Sequence, residues 1–240
     1  MISFILPAHD EERSIAAAVA SVHAAARTLG DTYEVIVVDD DSTDRTAERA
    51  RAAGARVVSV DHRQIARTRN AGAREARGER LFFVDADTLV TPALIADALR
   101  ALDLGAVGGG ALMRFDGRLP AYTFPMLLLV DGMMRYGRLA AGCFVFCTRA
   151  AFERAGGFDE TLFAGEELAI SRALRREGRF VILPRRVVTS GRKLRSHSAA
   201  EVTSFMLRLA RGGVATLKTR EGLEVWYGAR REDPEDTKAA

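Results

Sequence analysis

The sequence predicts an α/β chain: a mostly parallel central sheet, helices on both faces, and a smaller part after it. Two observations carry this. Apolar runs of strand length alternate with amphipathic helical segments through the first half of the chain, the pattern of a parallel sheet covered on two sides. The chain is also large enough, at 240 residues of which 48% are hydrophobic, to bury a substantial core.

Taken in order, Ile2 to Leu6, followed by Pro7, and Glu34-Val-Ile-Val-Val-Asp39 read as buried parallel strands. Between them, Ser14 to Leu29 sets Ile15, Val19, Val22, Ala26 and Leu29 at helical spacing, with Asp10 or Ser14 opening the helix and Gly30 closing it. A helix from Thr43 to Ala53, a strand from Arg56 to Val60, a helix from Ile65 to Ala76 and a strand from Arg80 to Val84 continue the alternation. Thr91-Pro92 opens another helix. The glycine-rich stretch around Ala106 to Met113 predicts a strand that another backbone or a ligand approaches closely, and Cys143 to Cys147 a buried strand. Helices follow at Arg149 to Ala155, Glu166 to Arg176 and Val202 to Leu209, the first two separated by a Gly156-Gly157-Phe158-Asp159 turn.

Composition narrows the class. The longest apolar stretch, Met126 to Val130 extended by Phe124 and Pro125, falls far short of the roughly 20 residues that span a bilayer. The amino terminus runs from an apolar segment into Asp10, Glu11, Glu12 and Arg13 without a basic leader, which reads as a chain starting here, in the cytoplasm. The 35 basic against 32 acidic residues leave a net +3, which names no nucleic-acid partner. Cys143 and Cys147, about 13 Å apart along a strand, cannot form a disulfide and read as small core residues of a reducing compartment.

Acidic residues recur at the ends of the predicted strands: Asp10-Glu11-Glu12 after the first, Asp39-Asp40-Asp41 at the second, and Asp85-Ala86-Asp87 after the fourth. Ligands of doubly wound sheets collect on that rim. One such cluster could simply cap a helix; three on one edge repel each other unless a cation, or donors such as ribose hydroxyls, lie between them. Magnesium is typically held by one or two carboxylates together with substrate phosphates, work that Asp85 and Asp87 can divide.

Pro7-Ala8-His9-Asp10-Glu11-Glu12, Val37-Val38-Asp39-Asp40-Asp41-Ser42-Thr43-Asp44, Ala66-Arg67-Thr68-Arg69-Asn70-Ala71-Gly72 and Phe83-Val84-Asp85-Ala86-Asp87 resemble, in order and spacing, glycosyltransferase family 2, over most of residues 1 to 195. The resemblance implies a GT-A, Rossmann-like fold, a nucleotide-diphospho-sugar donor, a manganese or magnesium ion, and transfer with inversion at the anomeric carbon. It points to Pro7, Ala8, Glu11, Asp39 and Asp40 for base and ribose, and to Asp85, Ala86 and Asp87 for ribose and metal-bound diphosphate. It further implies one domain over residues 1–225, with a nucleotide-binding half (1–103), an acceptor and catalytic half (104–198) and a helical segment (199–225), then a polar tail (226–240). The chain departs from the family where asparagine is common, at Asp10, and where glycine is common, at Asp41; aspartate still tolerates the left-handed geometry of a tight turn.

Inverting transfer needs a base for the acceptor hydroxyl. Gly165-Glu166-Glu167-Leu168 resembles the family's glutamate-aspartate motif opening a helix, which assigns Glu167 as base and Glu166 as its neighbour or an acceptor contact; the alternative is that both only favour the helix N-terminus. Arg192 and Lys193 could clamp the diphosphate in a closing loop. Arg67 and Arg69 compete for the same phosphate role, and His197 is either a further metal ligand or a surface histidine. Asp159, with Gly142, is assigned to the acceptor side; a plain turn role for Asp159 stands beside that. The acceptor is unidentified. The Val202 to Leu209 helix either brings a membrane face and a lipid-linked acceptor to the site or packs on the sheet. Two other readings share the rim: a sugar-phosphate nucleotidyltransferase, which resembles its relatives through a glycine-rich loop with lysine that this chain lacks, and a non-catalytic nucleotide-sugar or magnesium-binding module.

Overall fold

The structure, a computed structural model, describes residues 1–198 together with 201, 204, 217–221, 223 and 233. Apart from residue 204, the predicted helix at Val202 to Leu209 lies outside the described residues, as does nearly all of the polar tail.

The elements follow as β1 (Ile2–Ala8), α1 (Ile15–Arg27), β2 (Tyr33–Asp40), α2 (Thr46–Ala52), β3 (Arg56–Val60), α3 (Ile65–Glu75), β4 (Arg80–Val84), β5 (Thr88–Leu89), α4 (Pro92–Asp103), β6 (Gly108–Phe115), α5 (Thr123–Gly137), β7 (Phe144–Thr148), α6 (Arg149–Arg154), α7 (Glu166–Glu177), β8 (Phe180–Thr189) and α8 (Arg192–Ser196). The strands form one sheet in the order β3-β2-β1-β4-β7-β6-β8-β5. β1 to β4 are parallel to one another. β6 and β8 are also parallel, while β7 runs antiparallel to β4 and β6, and β5 antiparallel to β8.

Every residue of β1 is buried, because both faces of the sheet are covered. Ile2, Phe4 and Leu6 pack with Val35 and Val37 against Ile15, Val19 and Val22 of α1 and Leu94 and Ile95 of α4. On the other face Ile5, Ile36, Val38, Leu81 and Phe83 meet Ala66 and Ala73 of α3, Phe152 of α6, and Ile170 and Leu174 of α7. The period of two along β1 thus sorts its side chains between two cores. Gly72 lets α3 sit tight on the sheet: a Cβ there would come within 2.8 Å of Val38 Cγ2.

Several elements differ from expectation. The cysteine segment is a strand only from Phe144, and it runs antiparallel; both thiols are free and buried. α5, β5, β8 and α8 are not legible in the sequence. Within β8, Pro184-Arg185-Arg186 breaks any strand pattern, and there the pairing jumps from Ala111↔Leu183 to Leu112↔Arg186. A bulge accommodates a proline that cannot donate to the ladder. Among the described residues no helix is long and apolar enough to cross a membrane.

Candidate active site

The strand register assembles the site. β1 and β2 are paired through Ala8↔Asp39, so Pro7, Ala8 and the Asp39-Asp40 pair leave the sheet side by side. The loops beyond are tied together: Thr43 N donates to Asp10 Oδ1 at 2.8 Å and Asp10 N to Ser42 Oγ at 3.0 Å. Asp10 and Asp41, the two positions where the chain departs from the family, sit at φ 50° and 58°, a region that aspartate enters more readily than most residues.

Asp39 and Asp40 are adjacent and have different roles. Asp40 accepts from Arg63 N at 2.7 Å, Gln64 N at 3.1 Å and Thr68 Oγ1 at 2.6 Å. It therefore satisfies the two backbone donors that lead into α3 and a hydroxyl of the helix itself. Asp39 is 8% exposed, and its buried Oδ1 has no protein partner among the described residues.

Asp85 follows β4, and its N–H donates to the Cys143 carbonyl at 3.2 Å, because β4 meets β7 head to tail through Val84↔Phe144. Gly142 thereby reaches the same edge. The Thr88↔Thr189 pairing brings the end of β8 over Asp87, where Thr189 Oγ1 lies 3.4 Å from Asp87 Oδ1. The following turn closes onto the loop after β1: Arg192 Nη2 donates to Glu11 Oε1 at 2.9 Å, and Ser14 Oγ donates to Glu11 Oε2 at 2.7 Å. Burial, with the nearby charges of Glu11 and Asp85, pushes the Asp87 carboxyl up to about 6, and Lys193 and Arg192 limit the rise.

Arg69 is the central charge. It is 2% exposed, and its guanidinium donates to Asp85 Oδ1 at 2.7 Å, Glu166 Oε1 at 2.5 Å and the Gly142 carbonyl at 2.9 Å. Burial opposes its charge, but Asp85 and Glu166 outweigh burial and raise its pKa. One cation thus joins Asp85, the β7 edge and the start of α7. Gly165, at φ 74°, turns the chain into that helix, a geometry costly for other residues. Glu166 is consumed by Arg69. Glu167 faces the cleft, where burial and the neighbouring Glu166 push it up to about 8.

A cleft of about 690 Å³ joins these groups, lined among others by Ala8, Glu11, Asp40, Asp85, Asp87, Gly142, Glu166, Glu167 and Lys193. Asp39, Arg67, Asp159, Arg192 and His197 are not part of its lining. Arg67 is exposed and pairs with Glu160 at 3.6 Å. Asp159 is exposed and binds Thr161 N and Oγ1. His197 Nδ1 lies 2.9 Å from the Lys193 carbonyl. Sequence reasoning gave no role to Thr189 and Ser190, which line the cleft, and missed the apolar wall of Met126, Val130, Met133 and Met134; the apolar run Met126 to Val130 was its visible signal. It also missed Asn70, whose amide donates to the Phe158 carbonyl at 2.9 Å and accepts from Phe158 N at 2.9 Å. That holds the glycine turn against α3.

The residues fit a hard divalent cation. Asp85, Asp87 and Thr189 offer oxygen only, and the crowding that raises Asp87 is what a cation would relieve. Among the described residues no cluster of three or more histidine, cysteine or carboxylate ligands lies together.

The glycosyl transferase family 2 model matches residues 3–155. The chain is 37% identical over 144 residues to glucosyl-3-phosphoglycerate synthase of Mycolicibacterium paratuberculosis, which covers 49% of this chain and 43% of that one. It is 29% identical over 149 residues to dolichol-phosphate mannosyltransferase of Pyrococcus furiosus, covering 58% and 41%. The matched stretch is thus less than half the length of either relative. Among solved structures, a Pyrobaculum calidifontis mannosyltransferase in complex with GDP-Man and Mn2+ shares the fold with a TM-score of 0.66 at 19% identity, covering 99% of this chain and 67% of that one. The Mycobacterium tuberculosis glucosyl-3-phosphoglycerate synthase in complex with phosphoglyceric acid gives a TM-score of 0.62 at 19% identity, covering 97% and 81%. The fold is that of the GT-A glycosyltransferases, and the chain belongs to glycosyl transferase family 2.

Proposed function

We propose that this family 2 chain is a metal-dependent, inverting glycosyltransferase that moves a sugar from a nucleotide-diphospho-sugar to an acceptor hydroxyl. The observation that carries this is the single cleft into which Glu11, Asp85, Asp87 and Glu167, far apart in sequence, all project. Its volume of about 690 Å³ lies within the roughly 300–1,000 Å³ of small-molecule sites. Relatives named for glucosyl and mannosyl transfer, and a neighbour holding GDP-Man and Mn2+, support the class of donor and of cation.

Asp39, with its unpartnered buried oxygen, takes the donor that a ribose hydroxyl or base N–H supplies, because leaving that oxygen without one is unfavourable. Pro7, Ala8 and Ala86 give the nucleoside a backbone-lined seat. Asp85 and Asp87 would hold the cation, Mn2+ or Mg2+, which when bound withdraws charge from the departing diphosphate. Lys193 and Arg192 stand over the same place and neutralise the diphosphate as it leaves. Glu167 removes the acceptor hydroxyl's proton from the opposite side. Arg69 occupies the Glu166 carboxylate, so the proton transfer falls to Glu167. The acceptor enters along Met126, Val130, Met133 and Met134.

A melting experiment with UDP-glucose and GDP-mannose, each with and without Mn2+, tests the reading. A ligand at a hundredfold its Kd stabilises by about 2.7 kcal/mol. The expected result is a rise that needs both donor and Mn2+ and is lost in Asp87→Ala at unchanged circular dichroism. An undiminished rise in that variant would remove Asp87 from the metal site. No rise with any nucleotide-diphospho-sugar would remove the function.

A further inference from the structure

α5 carries an unusual outer surface. Phe124, Leu128, Leu129 and Tyr136 are 66%, 77%, 60% and 91% exposed, which gives one 15-residue helix an apolar face turned outward. Single exposed hydrophobics are ordinary; a row of them on one helix marks a surface that something covers. The same helix turns Met126, Val130 and Met134 into the catalytic cleft, and Met133 belongs to both sides, half exposed and also lining the cleft. The outer apolar face is therefore continuous with the wall along which the acceptor enters.

The charge beside this face is of one sign. Arg135, Arg138 and Arg179 surround a shallow recess with Tyr136. All three are exposed, and none meets a carboxylate among the described residues. Asp131, the acidic residue of the helix, is taken by Arg186. At about 1.5 Å per residue the helix is too short to cross a bilayer, which leaves an orientation in the plane of the interface.

We propose that α5 lies flat on an anionic lipid bilayer, its leucines and aromatic rings at the acyl boundary and Arg135, Arg138 and Arg179 on the headgroups, as amphipathic interfacial helices do. On the glycosyltransferase reading, from which this second step follows, the bilayer delivers a lipid-linked acceptor whose apolar part passes along Met133 and Val130 toward Glu167. A second copy of the chain fits the surface less well: a two-fold contact would bring the same arginines together, with no carboxylate among the described residues of the recess and the helix's own Asp131 taken by Arg186.

Flotation of the full chain with vesicles tests this, using phosphatidylcholine alone and phosphatidylcholine with phosphatidylglycerol in roughly 7:3 proportion. The wild-type chain floats with the anionic vesicles and less so at high salt. Leu128→Glu/Leu129→Glu and Arg135→Glu/Arg138→Glu each lower the bound fraction about tenfold, while both keep the wild-type melting temperature and the donor-dependent rise with Mn2+. A wild-type chain that stays with the aqueous phase overturns the proposal. So does equal flotation of the variants, or a dimer by light scattering that Leu128→Glu/Leu129→Glu splits, which would seat a second copy there. Loss of the donor-dependent rise in the wild-type chain faults the glycosyltransferase reading and leaves the flotation result to stand by itself.

Discussion

Glu167→Gln separates a proton acceptor from a helix-end charge, because the two roles demand opposite changes in stability. Burial and Glu166 raise the Glu167 carboxyl from 4.5 to about 8. Between those values the folded chain keeps a proton that the unfolded chain has released. The folded state therefore binds more protons, and stability falls as pH rises across that window. At about 1.36 kcal/mol per pH unit, and discounting for solvent that reaches the cleft, the loss above pH 8 is on the order of 2 to 4 kcal/mol. Glutamine cannot ionise and escapes it. With roughly 2–4 °C per kcal/mol for a chain of this size, the variant should melt about 5–15 °C above wild type at pH 9 and near it at pH 5. Release of UDP or GDP in the transfer reaction should meanwhile fall about 10²- to 10⁴-fold, and the wild-type rate should climb as pH rises toward 8. A carboxylate that only favoured the α7 N-terminus would behave otherwise: its removal would cost about 0.3–1 kcal/mol and spare the rate. A variant less stable than wild type at pH 9, or one with an unimpaired rate, would refute the assignment.

Asp87, raised to about 6, should make Mn2+-dependent donor affinity decline as pH falls through about 6, since the proton then competes with the cation; calorimetric titration from pH 5 to 8 reads this, and a flat profile would count against it. Arg69→Met should destabilise by about 3–5 kcal/mol, because Asp85 and Glu166 lose a buried counter-charge; urea denaturation measures it. Gly72→Ala should cost about 1–3 kcal/mol by forcing α3 off Ile5 and Val38, seen in the same assay without a change in donor selectivity.

Half of the sheet was legible because β1 to β4 are regular: each run is bounded by turn residues, and each intervening helix shows its period. Of the other half, β6 and β7 were legible as strands, and β5 and β8 were not. Pro184 and two arginines sit at a bulge inside β8, and α5 turns apolar residues toward both cleft and solvent, so neither presents a clean period. The acidic rim was legible too, since carboxylates at strand ends can be read directly from sequence. Their separate duties were not. Asp39 and Asp40 are the same residue type in adjacent positions, and only the arrival of α3 shows that Asp40 is occupied while Asp39 keeps an unpartnered oxygen. Arg67 and Arg69 likewise differ by what lies beside them: Arg67 turns to the surface, Arg69 to three acceptors from three elements.

The sequence by itself determined the alternation of strand and helix, the acidic rim, and the family. It could do so because hydrophobic period and local motif are properties of neighbours in the chain. Tertiary structure alone decided which carboxylates stand free, where the antiparallel β7 carries Gly142, and that one buried guanidinium ties Asp85 to Glu166. Those outcomes depend on groups brought together across long stretches of chain, where burial and the nearest opposite charge, rather than residue type, set what each side chain can do.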